Sequence, residues 1–338
     1  MNYIFELNHP KHYYQFKVIM SLLKREGHSI KVLARDKDVL LKVLKEEGVQ
    51  YEVFGVHKDS IIGKVFSSLG IYLQYKKIAK RFSPDAIVSK ASLYGVIVAK
   101  RLRCKSFIFP DSEVVSLTNK VVAPLASVII TPESFAIDYG PKHKRIKGLF
   151  EDCYLSPIIY QIDYNYPEAH GLTRPYAILR FVGWTANHDV NNNGFSLKEK
   201  VTLVNSINRF MTVYISSEKE LPKELAIYKL NTPTADIHNV LANADLYVGD
   251  SQTMATEAAL LGTPAIRSNS FVGQHDMSNF KMLEDKGLLI NIKEYNIVLD
   301  KATEYARTTR KEEWLNKRKS YYSNVGDVNN AILKILGY

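Results

Sequence analysis

Cysteine is scarce: the 338 residues contain two, Cys104 and Cys153. They lack metal-ligand spacing and could not build a disulfide framework, which fits a reducing compartment and makes both structural. No stretch is apolar enough to span a bilayer. The opening residues Met1-Asn2-Tyr3-Ile4-Phe5-Glu6 have no basic leader, long apolar run or small-residue cleavage site. Export is therefore not expected, and a cytoplasmic location is. Low-complexity segments are missing too. The lysines and arginines are scattered over both halves with no helix-turn-helix, zinc-finger or RNA-binding signature, so nucleic acid is not an expected partner.

What is present reads as a globular chain, 46% hydrophobic and 24% charged. A formal charge of +10 and a pI near 9.2 favour an anionic partner such as a nucleotide or a charged membrane face, with a merely solvated basic surface as the alternative. The length favours two domains.

Apolar runs and helical periodicities alternate. Tyr3 to Leu7 reads as a strand, followed by a helix through Phe16, Ile19, Met20, Leu22 and Leu23 that Gly27 closes. Strands at Ser29 to Ala34, Tyr51 to Phe54, Ala86 to Val88, Ser106 to Phe109 and Val128 to Ile130 follow, with helices at Val39 to Glu47 and Ile62 to Arg81. Between Leu149 and Thr173 the pattern lapses into Pro157, Pro167, Gly171 and tyrosines, which marks a connection. The alternation resumes with a strand at Tyr176 to Phe181, a helix at Leu197 to Asn208, strands near Met211 to Ile215, Leu246 to Gly249 and Pro264 to Ile266, and terminal helices from Lys301 to Leu336. This predicts an α/β protein of two Rossmann-like doubly wound lobes facing across a cleft, residues 1–160 and 161–338, the second including the terminal helices.

The second half holds a polar turn between a strand and a helix: Leu246 to Gly249, then Asp250-Ser251-Gln252-Thr253, then Met254 to Leu261. Free backbone N–H groups and the helix dipole suit a pyrophosphate there, with Ser251 and Thr253 hydroxyls adding donors. Glu257, one turn on, could accept from ribose hydroxyls. A plain N-cap and capping box explain the same residues equally well. The stretch Asp250 to Gly273, DSQTMATEAALLGTPAIRSNSFVG, resembles the nucleotide-binding segment of GT-B glycosyltransferases and of UDP-N-acetylglucosamine 2-epimerases. That resemblance implies phosphate contacts from Ser251, Gln252 and Thr253 and a ribose contact from Glu257. It also places Gln274, Asp276 and Asn279 on donor-sugar hydroxyls, a polar surface loop being the alternative. Arg180, ahead of the loop with Trp184, His188 and Asp189, would pair with the phosphates bidentately.

In the first half, Asn8-His9-Pro10-Lys11-His12 stands where many GT-B enzymes have a glycine-rich turn. Inverting members carry a histidine there as base for the acceptor hydroxyl, which points to His12, nearer the helix start than His9. A cap or packing histidine is the ordinary reading. His9 and His12 lack companion ligands, so no metal and no cofactor are expected. Phe109-Pro110-Asp111-Ser112-Glu113 resembles the epimerase stretch with a catalytic glutamate, matched by Glu113. The epimerase aspartate expected after Ile87-Val88 has no counterpart in Ser89-Lys90-Ala91-Ser92, which favours transfer over epimerisation. The implied partners are a nucleotide-sugar donor and a glycan or lipid-linked acceptor in surface polysaccharide synthesis, with inverting, metal-independent transfer. The alternatives are a 2-epimerase or hydrolase and a noncatalytic nucleotide-sugar-binding protein. The basic helix at Ile61 to Arg81 suits the buried face of a crossover helix better than peripheral docking at the inner face of the membrane.

Overall fold

The computed structural model describes residues 1–36, 39–55, 61–181, 195–217, 219–273, 276–308 and 310–337, and for 61–67 the backbone. The chain divides into two compact units, Met1–Tyr154 with Asp327–Tyr338, and Leu155–Gly326.

The first unit begins with β1 (Asn2–Leu7), α1 (Pro10–Arg25), β2 (Ser29–Ala34), α2 (Leu40–Glu46) and β3 (Glu52–Val53). It continues with α3 (Ile61–Phe82), β4 (Ala86–Ser89), α4 (Leu93–Leu102) and β5 (Lys105–Ile108). Then come α5 (Ala123–Leu125), β6 (Val128–Pro132), β7 (His143–Ile146) and α6 (Asp152–Leu155). The seven strands form one parallel sheet in the order β3-β2-β1-β4-β5-β6-β7. All of β1 beyond Asn2 is buried, Glu6 included, and β4 is buried throughout, the burial expected of strands covered on both faces. On one face Ile4, Leu33, Phe54, Tyr75, Ile87 and Val98 form a core. Elsewhere an aromatic run links Phe5 to Phe16 at 5.5 Å, Phe16 to Phe109 at 5.0 Å and Phe109 to Phe150 at 5.7 Å between ring centroids.

The second unit comprises α7 (Tyr166–Ala169), β8 (Tyr176–Arg180), α8 (Leu197–Ile207), β9 (Thr212–Ser216), α9 (Ile237–Asn243) and β10 (Leu246–Gly249). It ends with α10 (Gln252–Leu260), β11 (Ala265–Arg267), α11 (Ser278–Asp285), β12 (Ile290–Asn291), α12 (Tyr295–Thr308) and α13 (Lys311–Tyr322). Its parallel sheet has the order β12-β11-β10-β8-β9. Helix α10 is buried from Met254 to Leu260, which accounts for its alanine-rich sequence.

The last helix, α14 (Val328–Leu336), corrects the expected division. It packs on α1 and β7 of the first unit, and Asn329 Nδ2 donates to Cys153 O at 2.9 Å. Its buried stripe, Val328, Ile332, Leu333 and Leu336, needs an apolar surface, and α1 and β7 supply one. Periodicity announces such a stripe but not what covers it. Strand β7 and the short β12 also went unread, each lying outside a long apolar run. Among the described residues no helix is long and apolar enough to cross a membrane.

Candidate functional site

In a doubly wound sheet the strand order reverses at a switch point, and ligands bind outside the carboxyl ends of the strands there. The first sheet reverses between β1 and β4, the second between β8 and β10. The residues just past these four strand ends are therefore the candidate ligand contacts.

In the second unit Arg180, Gly249 and Arg267 stand in register at the ends of β8, β10 and β11. A Cβ on Gly249 would lie 2.3 Å from Arg180 O and 2.7 Å from Tyr247 Oη, so only glycine lets these groups close up. The turn that follows is held from both sides. Asp250 N donates to Arg180 O at 3.1 Å, Ser268 N to Gly249 O at 2.9 Å, and Asn269 Nδ2 to Asp250 O at 3.2 Å. Ser251 is the N-cap of α10, its Oγ accepting from Met254 N at 3.4 Å. Gln252 and Thr253 open the helix half-buried, and their side chains make no hydrogen bond among the described residues. Arg180 Nη1 donates to Ser216 O at 3.3 Å. Lys200, on α8, is an addition that sequence reasoning missed. It is buried with its ammonium 5.4 Å from the Phe181 ring centroid, and burial lowers its pKa while Asp250 opposes.

Two of the expected ligand contacts also have protein partners. Glu257 is not part of a capping box, because α10 begins at Gln252 and puts it a turn and a half in. Its buried carboxylate meets His238 Nε2 of α9 at 3.3 Å. Asp276, expected at a donor sugar, is the counter-ion of the fully buried Arg267 guanidinium. Arg267 also donates from Nε to Asn291 Oδ1 at 2.8 Å and lies 3.6 Å from the Phe280 ring centroid. An unpaired guanidinium could not be buried there, so Asp276 has a structural reason to exist. Asn279 is the second residue of α11, half-buried. Gln274, Trp184, His188 and Asp189 lie outside the described residues.

In the first unit the switch point gathers ionisable groups. Lys90, just past β4, has a side chain 3% exposed; its Nζ donates to Gln15 Oε1 at 3.0 Å and pairs with Asp111 Oδ2 at 3.5 Å. The same ammonium sits 3.9 Å from the Phe150 ring centroid. Lys11 Nζ pairs with the buried Glu151 at 2.7 Å and lies 4.0 Å from Asp111. Ala91 takes φ 77, left-handed backbone that alanine rarely adopts, and the turn it makes is held by Ser92 N donating to Ser89 Oγ. Burial pulls the Lys90 amine down to about 8, with Lys11 adding to the effect and Asp111 and Glu151 opposing it. Burial would raise the Asp111 carboxyl, but Lys90 and Lys11 outweigh it and hold the group well below the usual range.

His9 is the N-cap of α1, its Nδ1 accepting from Lys11 N at 3.1 Å. His12 lies in the first helical turn, and its Nδ1 accepts from Asn8 N at 3.1 Å. Burial, then Lys90, hold the His12 pKa well below its ordinary value, with Asp111 opposing. Glu113 takes a different place from Asp111: its Oε1 accepts from Ala136 N at 3.2 Å, and its carbonyl accepts from Asn119 Nδ2 at 2.7 Å. The carboxylate beside Lys90 is Asp111. Among the described residues no three His, Cys, Asp or Glu side chains gather where they could hold a metal ion.

The family model described as protein of unknown function (DUF354) matches residues 3–150 and 194–329. The chain belongs to this family. A relative, the uncharacterized protein MJ0665 of Methanocaldococcus jannaschii, is 22% identical over 276 residues, covering 77% of this chain and 80% of that one. The solved structure of UDP-GlcNAc 2-epimerase from Methanocaldococcus jannaschii is similar with a TM-score of 0.71, at 16% identity over all of both chains. Acinetobacter baumannii MurG is similar with a TM-score of 0.61, at 15% identity over 99% of each chain. The fold of this DUF354 protein is accordingly GT-B, and at such identities the likeness speaks for fold alone.

Proposed function

We propose that this DUF354 protein is a glycosyltransferase that binds a nucleoside-diphosphate sugar at the second unit's switch point and moves the sugar to a glycan or lipid-linked acceptor. One observation supports this most directly: Gly249 lets the end of β10 close against Arg180 while α10 starts immediately beyond, with Gln252 and Thr253 uncommitted. A helix N-terminus with an arginine on the neighbouring strand end suits a diphosphate. In this reading Ser251 and Thr253 add hydroxyl contacts, and Lys200 adds positive charge. Glu257 reaches ribose from its place beside His238, and Asp276 acts indirectly by holding Arg267. Transfer is inverting and needs no metal, because the helix dipole and cations stabilise the departing diphosphate. The first unit takes the acceptor, with His12 and Asp111 beside its hydroxyl and Glu113 at the edge of its site.

A second reading, an epimerase or hydrolase acting on the nucleotide sugar alone, draws support from Lys90. Position 90 lacks the expected carboxylate, but an amine with a pKa of about 8 can accept a proton near neutral pH.

Thermal unfolding with UDP, GDP, CMP and dTDP tests the donor site. A nucleotide at 100 times its Kd adds about 2.7 kcal/mol of stability, and the expected result is a clear shift with one of the four. No shift with any of them would sink the donor-site reading. Product formed without acceptor would favour the second reading, and binding without turnover would reduce the protein to a nucleotide-sugar sensor.

A further inference from the structure

We propose that His12 serves its ligand as a neutral hydrogen-bond donor through Nε2–H, holding a ligand oxygen, and not as the base that removes a proton. The inference deepens the reading of the first unit as the acceptor side and rests on it for the identity of that oxygen. Its ground is the hydrogen bond from Asn8 N to His12 Nδ1 at 3.1 Å. A backbone N–H can only donate, so Nδ1 must present its lone pair, and the single proton of a neutral ring then sits on Nε2. A base would need the reverse: a bare Nε2 and a proton on Nδ1, two donors facing each other across that short contact. Among the described residues Nε2 makes no hydrogen bond, so its N–H is available to a ligand.

The surroundings oppose the imidazolium as well. His9 and Lys11 on α1 and Lys90 beyond β4 all disfavour a positive ring, and Asp111 beyond β5 opposes them. The first turn of α1 contributes the positive end of its dipole. Asp111 and Glu151 are each paired with a lysine and compensate those charges first. His12 is therefore an uncharged donor among paired ions, and the proton of an acceptor hydroxyl must go to another group of the cluster, Asp111 or Lys90.

Two experiments decide the matter. Long-range proton–nitrogen correlations on the whole chain with 15N-labelled histidine report each ring's tautomer, and His12→Gln identifies the His12 signals among the nine histidines. The expected result is a neutral Nε2–H tautomer that persists on titration from about pH 8 to pH 5.5, below the ordinary histidine value. A proton on Nδ1, or titration at or above the ordinary value, would overturn the proposal whether or not any substrate is turned over. With an active nucleotide-sugar pair, glutamine can replace the N–H donor but not a base. His12→Ala is expected to lose about a hundredfold in turnover, as for removal of one well-placed donor, with His12→Gln within about tenfold of wild type. Equal loss in both variants, with a rate profile that rises on an ionisation near pH 6.5, would restore the base role. Failure of every nucleotide to bind would refute the proposed function and leave the tautomer measurement to stand by itself.

Discussion

Replacing Lys90 with methionine removes the buried ammonium while keeping most of the side-chain volume. The amine falls from an ordinary value of 10.5 to about 8 in the folded chain, and at about 1.4 kcal/mol per tenfold this amounts to about 3 kcal/mol disfavouring its charged form. Because the folded value is lowered, the unfolded chain binds more protons between about pH 8 and 10.5, so this residue makes stability rise with pH across that window. Below pH 8 the full cost is present. Lys90→Met escapes it, and Asp111, 41% exposed at its side chain, can turn to water when its partner goes. The variant is expected to match or exceed wild type at pH 7 in urea unfolding. That advantage should shrink by about 3 kcal/mol toward pH 10.5, which for a unit of this size is a relative movement in Tm of about 6–12 °C. Comparing the two proteins at each pH cancels the other lysines and tyrosines. A wild-type-minus-variant difference that stays constant between pH 7 and 10.5 would refute the reasoning, as would a variant destabilised by a similar amount at pH 7.

Two further substitutions test the backbone. Gly249→Ala forces a Cβ to within 2.3 Å of Arg180 O, a backbone atom that cannot move without breaking the β8–β10 pairing; a loss of about 3 kcal/mol is expected in thermal or urea unfolding, and wild-type stability would contradict the close approach. Arg103 closes α4 with φ 57 in the left-handed region and is exposed; Arg103→Gly should therefore raise stability by about 1 kcal/mol, read as a higher urea midpoint with unchanged slope, and a loss would show that the side chain does more than tolerate its backbone.

Much of the fold was legible because it is written in short-range patterns. Strands β1, β2, β4, β6, β8 and β10 are mostly apolar, and their alternation with helices implies parallel crossovers. The strand-turn-helix at Gly249 to Gln252 and the helix start at His9 to His12 were equally readable, since caps and turns are local. The pairings inside the sites were not. Lys90 meets Gln15 and Asp111 because β1, β4 and β5 are neighbours, an adjacency of strands far apart in the chain. Nothing beside Asp276 in the sequence shows that Arg267 is buried and needs its charge.

Local patterns were enough to place the residues at the strand ends: Asn8 to His12 after β1, Lys90 after β4, Asp111 after β5, Arg180 at the end of β8 and Asp250 to Thr253 after β10. Tertiary structure alone decided which of those groups face one another, which carboxylate belongs to which cation, and that α14 returns to the first unit. The physical reason is range. Backbone periodicity and capping act over a few residues and leave their mark in order, whereas charge pairing and desolvation act through space and depend on which strands the crossovers bring together.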